Sequence, residues 1–239
     1  MSSYRLQHPS AWVRAGRILA AATPLLFTAC GGGGGGGDSN PVNLNSYDLD
    51  VAMTRAYATG ASFTGLTATA SNGAVITLGL TLTAAADAMF EGTLRKVSLQ
   101  TITVSAPGVG TETTGATEYY GTNPFRAYGS IDDAGTYGIA TSTGNLPTAA
   151  RVGDAGPLGT QVYYADATKA TVTMNATNTW ELQSDGTVST AWACSKTVAR
   201  EVGSATDLLQ TLCFRLNTAG DVLGAKFTMS LPTETLEFK

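Results

Sequence analysis

An antiparallel all-β body, built as a sandwich or a meandering barrel, is what three features of the chain predict. Threonine fills 37 of the 239 positions and glycine 28, whereas charged residues make up 13 %, about half the usual ~25 %. From residue 47 onward, short runs of period-two alternation are separated by Gly, Asn and Asp breakers. Helical periodicity is scarce: residues 47–58 and 197–212 are the candidates, and neither is strongly periodic.

The first strand-like run, 62–70, leads through Asn72-Gly73, a pair suited to a tight hairpin turn, into 75–83 (VITLGLTLT). There Ile76, Leu78, Leu80 and Leu82 share one face and threonines take most of the other, the pattern of a half-buried antiparallel strand. Over 96–105 the apolar parity switches between Leu99 and Ile102, which predicts a bulge near Gln100. The polar stretch 107–115 is a candidate boundary between an N-terminal β subdomain at 47–106 and a C-terminal β domain at 116–239, and the length permits one domain or two. Further strands are expected at 137–143, 161–164, 171–176, 179–183, 187–194, 212–216, 225–231 and 235–238. Breaks such as DDAG (132–135), GDAG (153–156), SDG (184–186) and NTAGD (217–221) fit the connections, and no fixed-period repeat is present. With Ser184-Asp185-Gly186 as a three-residue turn, Leu182 would face Val188, Trp180 would face Thr190, and Trp192 would join Trp180, Leu182 and Val188 on one face.

The N-terminus carries the most specific signal. Residues 1–17 hold Arg5, Arg14 and Arg17 and no acid, and 18–27 (ILAAATPLLF) is an apolar stretch too short to span ~30 Å of bilayer as a helix. This is the layout of a signal peptide. It ends in Leu26-Phe27-Thr28-Ala29-Cys30, small residues before a cysteine, which resembles the lipobox of bacterial lipoproteins, with Phe27 in place of the more usual Leu. The resemblance implies removal of residues 1–29, a diacylglyceryl thioether on Cys30 and a fatty acyl group (palmitate) on its new amine. Two or three acyl chains hold a protein on a membrane without a transmembrane helix. Gly31 stands where inner-membrane lipoproteins typically have Asp, so the resemblance points to the outer membrane of a Gram-negative cell, with either face open. The lipidated Cys30, the glycines at 31–37 and the polar residues up to 46 are expected to form a disordered tether, because such a segment loses much entropy on ordering and gains no packing. As a Gly-rich coil it reaches about 20–25 Å. The body resembles poly-Gly outer-membrane lipoproteins in style only, and no named family.

The available chemistry is narrow. The only histidine is His8, so a chain beginning at Cys30 has none, which excludes Ser-His-Asp and Cys-His nucleophile systems and His-ligated metal sites. That chain carries 11 basic and 18 acidic side chains, a net charge of −7, which argues against nucleic acid as a partner. Cys194 and Cys213 form an even pair in an exported chain and are expected to be joined by a disulfide. Cys213 has the parity of Arg215, opposite to Leu212, Phe214 and Leu216, so the bond needs a bulge or faces outward. The DDAGTYG turn at 132–138 lacks the spaced acids of a calcium loop, and neither a metal nor a cofactor is expected. Glu118, Glu181, Asp133 and Asp154 are conceivable members of a hydrolytic carboxylate pair, which needs two carboxyls about 5–10 Å apart, but no spacing singles out a pair.

Two stretches, 118–128 (EYYGTNPFRAY) and 161–166 (QVYYAD), each hold a Tyr-Tyr pair, and alternation sends one ring of each pair outward. Tyr120, Tyr128 and Tyr164 are the candidate binding surface, suited to stacking a glycan or anchoring a protein partner. The expected function is a membrane-anchored, non-catalytic cell-envelope lipoprotein acting as an interaction module on an envelope protein or glycan. The alternatives are a small-ligand or glycan binder using a barrel mouth or sandwich edge and, behind it, a carboxylate hydrolase.

Overall fold

The computed structural model of the chain describes residues 43–231 and 234–239. The expected signal peptide, Cys30 and the glycine run lie outside the described residues. Within them, helix α1 (Leu49–Thr59) precedes strands β1 (Ala61–Thr69), β2 (Val75–Phe90), β3 (Thr93–Ala106), β4 (Gly110–Gly121), β5 (Arg126–Asp132) and β6 (Tyr137–Thr143). The chain continues as β7 (Ala155–Tyr164), β8 (Val172–Ser184), β9 (Thr190–Glu201), β10 (Leu208–Asn217), β11 (Val222–Ser230) and β12 (Thr235–Phe238).

Each strand pairs antiparallel with the next, in sequence order. The two ends of the sheet meet where Thr67 N donates to Lys239 O at 3.1 Å and Lys239 N donates to Thr67 O at 3.2 Å. The result is a nearly closed meandering barrel rather than a sandwich. On β2, Ile76, Leu78, Leu80 and Leu82 face the interior as their alternation predicts, and Thr77 and Thr81 face out. β8 repeats the arrangement, with Met174, Ala176, Asn178, Trp180 and Leu182 inward and Thr173, Asn175, Thr177, Glu181 and Gln183 outward.

In such a meander alternate turns share an end of the barrel, and the N-terminal segment lies across one of them. Leu49 N donates to Pro147 O in the β6–β7 connection at 3.0 Å, and Arg55 reaches Ala219 O in the β10–β11 turn at 3.1 Å. Asp50 accepts from Phe125 N in the β4–β5 turn. Asp48 caps α1 by accepting from Val51 N at 2.9 Å. Buried Leu49, Ala52, Ala56 and Tyr57 then pack into the main core with inward residues such as Leu182, Phe214, Phe227 and Phe238. The helix therefore plugs this end and fills much of the interior.

Several expectations change. Asn43–Ser46, read from the sequence as the end of the tether, belongs to the body: Asn43 is buried and its Nδ2 donates to Tyr47 Oη at 2.7 Å and to Thr190 O at 2.9 Å. The stretch 107–115 is the β3–β4 turn and the start of β4, paired with β3 in unbroken register from Ala106↔Gly110 onward, so one sheet runs through the expected boundary. The expected helix at 197–212 is instead the β9–β10 hairpin, turned at Gly203 with φ 84°. No bulge occurs at Gln100; β3 pairs evenly with β4, and the shift falls on β2 between Ala85 and Ala88. The parity switch arises because Val97 packs outward while Ile102 packs inward.

The β8–β9 turn is wider than three residues, placing Ser184 opposite Ala191 and Leu182 opposite Ala193, so Trp192 lies outside, away from Trp180. Asp185 sets that turn. Its carboxylate accepts from Thr187 N at 3.1 Å, Thr187 Oγ1 at 2.9 Å and Arg215 Nε at 2.7 Å, and from Thr190 Oγ1. Burial alone would raise its pKa, but the hydrogen bonds from Thr190, Arg215 and Thr187 outweigh burial and hold the carboxyl at about 2. Replacement by Asn is expected to cost about 2 kcal/mol at pH 7, discounted for the half-exposed Arg215. The unfolded carboxyl titrates near 3.8, so the contribution is complete above that pH and fades as pH falls toward 2. Urea unfolding of both proteins at pH 7 and pH 3 checks this; equal stability at pH 7 would rule out the bonding role.

Cys194 and Cys213 are directly opposed on β9 and β10 and form the expected disulfide, with Cα atoms 3.9 Å apart. The bond has outward parity, flanked in register by Glu181 and Lys226, yet both cysteines are buried.

Candidate functional site

The barrel interior is not uniformly apolar. Ser98 and Gln100 on β3, Glu118 on β4, Ser130 on β5, Gln161 on β7, Asn178 on β8, Thr197 on β9 and Gln210 on β10 are all buried and share the inward parity of the core. Register places Ser98, Glu118 and Ser130 side by side, and likewise Asn178, Thr197 and Gln210. This polar belt separates the main core from a small cluster of Tyr163, Met174, Ala176 and Ala199. Burial pushes the Glu118 carboxyl up to about 8, so it is largely protonated at neutral pH. Tyr163 donates its hydroxyl to Gln161 Oε1 at 2.7 Å, and burial, then the nearby Glu118, raise its pKa.

Between this belt and α1 lies a cavity of about 50 Å³, walled by Tyr57, Phe125, Trp180 and Phe214 and floored by Gln161, Asn178 and Ser195. Ligand pockets for drug-sized molecules run to roughly 300–1,000 Å³. The interior is therefore largely filled.

The second concentration of chemistry lies outside the barrel. The β2–β3 hairpin extends beyond its neighbours, and the shift at Ala85/Ala88, with the turn at Glu91 (φ 48°) and Gly92 (φ 72°), folds its tip back. Phe90 then stacks on Tyr119, centroids 4.3 Å apart, and on Tyr137 at 5.3 Å. Glu91 latches the tip: it accepts from Tyr137 Oη at 2.8 Å and from Lys169 Nζ at 2.8 Å. The hydrogen bond from Lys169, then that from Tyr137, lowers the Glu91 pKa, while burial and then Glu91 push Tyr137 up to about 12. Tyr128 and Tyr164 pack against the same aromatic cluster, and the Arg95 guanidinium carbon lies 3.5 Å from the Tyr128 ring centroid. The Arg95 Nε is buried without a hydrogen-bond partner among the described residues. On the arm's other side, the cross-strand neighbours Met89 and Leu94 are 64 % and 61 % exposed.

Gly129 is the seat for Phe90. A Cβ there would lie 2.5 Å from Phe90 Cζ and 2.2 Å from Gly138 O. Gly129→Ala is expected to cost about 1–3 kcal/mol and unstack Phe90. Near-ultraviolet circular dichroism should lose intensity; an unchanged spectrum and stability would contradict the seat.

The structure thus brings together two of the three sequence-predicted tyrosines. Tyr128 and Tyr164 share the outer cluster, whereas Tyr120 is buried inside, its ring 5.3 Å from Tyr57 and 5.7 Å from Phe125. The outward member of that pair is Tyr119. Of the four candidate carboxylates, Glu118 alone faces the interior; Glu181 bonds Gln183 on the outside, Asp133 accepts from Gly115 N at 2.6 Å, and Asp154 accepts from Arg151 N at 2.8 Å. No pair of these four converges. Among the described residues no cluster of His, Cys, Asp and Glu could hold a metal. The polar belt escaped the sequence reading, although Ser98 and Gln100 at inward parity are what produced the apparent switch on β3.

Compared with known protein families, with curated proteins and with solved structures, the chain matches none.

Proposed function

We propose that this chain is a lipid-anchored, non-catalytic cell-envelope protein of the outer membrane, and that its barrel is an interaction module binding an envelope protein through the outer face around Tyr128, Tyr164 and Arg95. The observation that carries this reading is that face: tyrosine and arginine, residue types enriched at binding hot spots, gathered on the outside of a barrel whose interior is largely filled. The outward threonines of β2 and β8 support a body that stands in water, since barrels embedded in lipid turn their apolar side outward. No helix among the described residues is long and apolar enough to cross a membrane. Attachment is assigned to Cys30 because its setting resembles a lipobox.

The anchoring is tested by fractionating cells that express a C-terminally tagged chain. It should sediment with membranes, and Cys30→Ala should release it to the soluble fraction; a variant that still sediments would count against the lipid anchor. Protease added to intact cells would then locate the face on which the body stands. A second reading, binding of a small ligand or glycan at the barrel mouth, is favoured by one observation, the cavity under α1.

A further inference from the structure

The floor of that cavity is built from side chains on three consecutive strands, Gln161 on β7, Asn178 on β8 and Ser195 on β9. Asn178 is 3 % exposed, yet its Oδ1 has no hydrogen-bond partner among the described residues. A buried acceptor left unpaired costs about 1–3 kcal/mol, so the site is poised for a donor. Gln161 Oε1 is taken by the Tyr163 hydroxyl at 2.7 Å, which leaves the Gln161 Nε2 group as the donor of the pair. An acceptor, a donor and a hydroxyl therefore line one small space, and no charged group stands on the floor. Arg126, at the rim, is engaged by Asn145 Oδ1 through Nε at 3.1 Å and Nη2 at 2.9 Å. The walls, Tyr57 and Trp180 among them, present aromatic faces suited to C–H groups.

We infer that this cavity is a binding site for a neutral hydroxylated ligand, a short polyol or the hydroxymethyl edge of a sugar. One hydroxyl donates to Asn178 Oδ1 and accepts from Gln161 Nε2, while Ser195 Oγ meets a second. The size sets the limit. At roughly 10–15 Å³ per water, a cavity of about 50 Å³ takes about three to five non-hydrogen atoms, a diol or one edge of a ring and not a whole saccharide. The inference rests on the second reading given above and is independent of the outer face.

The test uses the mature full-length chain, labelled with ¹⁵N, titrated with ethylene glycol, glycerol and methyl glucoside while the side-chain amides of Asn178 and Gln161 are followed by nuclear magnetic resonance. Saturable shifts confined to these amides and their neighbours are expected, abolished by Asn178→Leu and weakened about tenfold by Ser195→Ala, the loss of one hydrogen bond. Saturation by free polyols identifies a small soluble ligand; saturation by the glucoside alone identifies a glycan edge. Non-saturating shifts spread over the surface, with water alone on Asn178, would overturn the site. If Asn178→Leu fails to fold, Ser195→Ala carries the test, and unchanged affinity in it overturns the assignment. Failure here leaves partner binding at Tyr128 and Tyr164 untouched, so the two readings fail separately.

Discussion

Glu118→Gln is expected to stabilise the protein, increasingly so as pH rises from 5 to 8. The folded carboxyl titrates at about 8 and the unfolded one near 4.5, because burial disfavours the charge. Between those values the unfolded chain has released the proton and the folded chain still holds it, so raising the pH favours unfolding by roughly 1.4 kcal/mol per unit. The cost is small at pH 5 and on the order of 3–5 kcal/mol by pH 8. Glutamine keeps the shape and carries no charge. Urea unfolding of both proteins at pH 5 and pH 8 should give nearly equal stabilities at the first and a gap of several kcal/mol at the second. A gap independent of pH would mean that Glu118 is not held neutral in the belt.

Removing the Cys194–Cys213 bond is expected to cost about 3 kcal/mol. It closes a loop with a sequence separation of 19, and the chain-entropy account gives that magnitude for such a loop. Both cysteines are buried, so alanine is the cleaner replacement than serine, which would add a buried hydroxyl. The double variant Cys194→Ala with Cys213→Ala should unfold at a markedly lower urea concentration, with the barrel otherwise intact. A shift below about 0.5 kcal/mol would contradict the chain-entropy account of this bond.

How much of this was legible depended on whether alternation had a single cause. On β2 it did: four leucine and isoleucine side chains at every second position faced one apolar interior, and the pattern sufficed. The run expected at 235–238 coincides with β12 for the same reason, Leu236 and Phe238 facing that interior, and the run at 137–143 coincides with β6, whose Tyr137 and Ile139 instead serve the outer cluster. On β3 alternation had two causes, since Val97 serves the outer aromatic cluster and Ser98 and Gln100 serve the polar belt, and no propensity distinguishes that from a bulge. The polar start of β4, Thr111–Thr114 beside Gly115, offered no apolar face and read as a boundary. The GSATD sequence at 203–207 carried a turn signal inside an apparently helical stretch, and Gly203 supplies the positive φ that makes a hairpin of it.

The tyrosines show the same limit. Alternation guarantees that one ring of each pair points outward but not which one. The register shift between Tyr119 and Tyr120 in the β4–β5 pairing accompanies an outward Tyr119, while Tyr163 and Tyr164 follow the expected choice. The folded-back arm that carries Phe90, Glu91 and Arg95 to the site depends on long-range stacking at Gly129, which local sequence does not encode.

The proposed interaction surface is most directly tested by placing a photo-cross-linking amino acid singly at positions 128, 164 and 228 of the tagged chain in living cells, Thr228 being on β11 away from the aromatic cluster. Positions 128 and 164 should capture the same envelope protein, only when Cys30 is present, and position 228 should not. Equal capture at all three positions, or none at 128 and 164, would contradict the account.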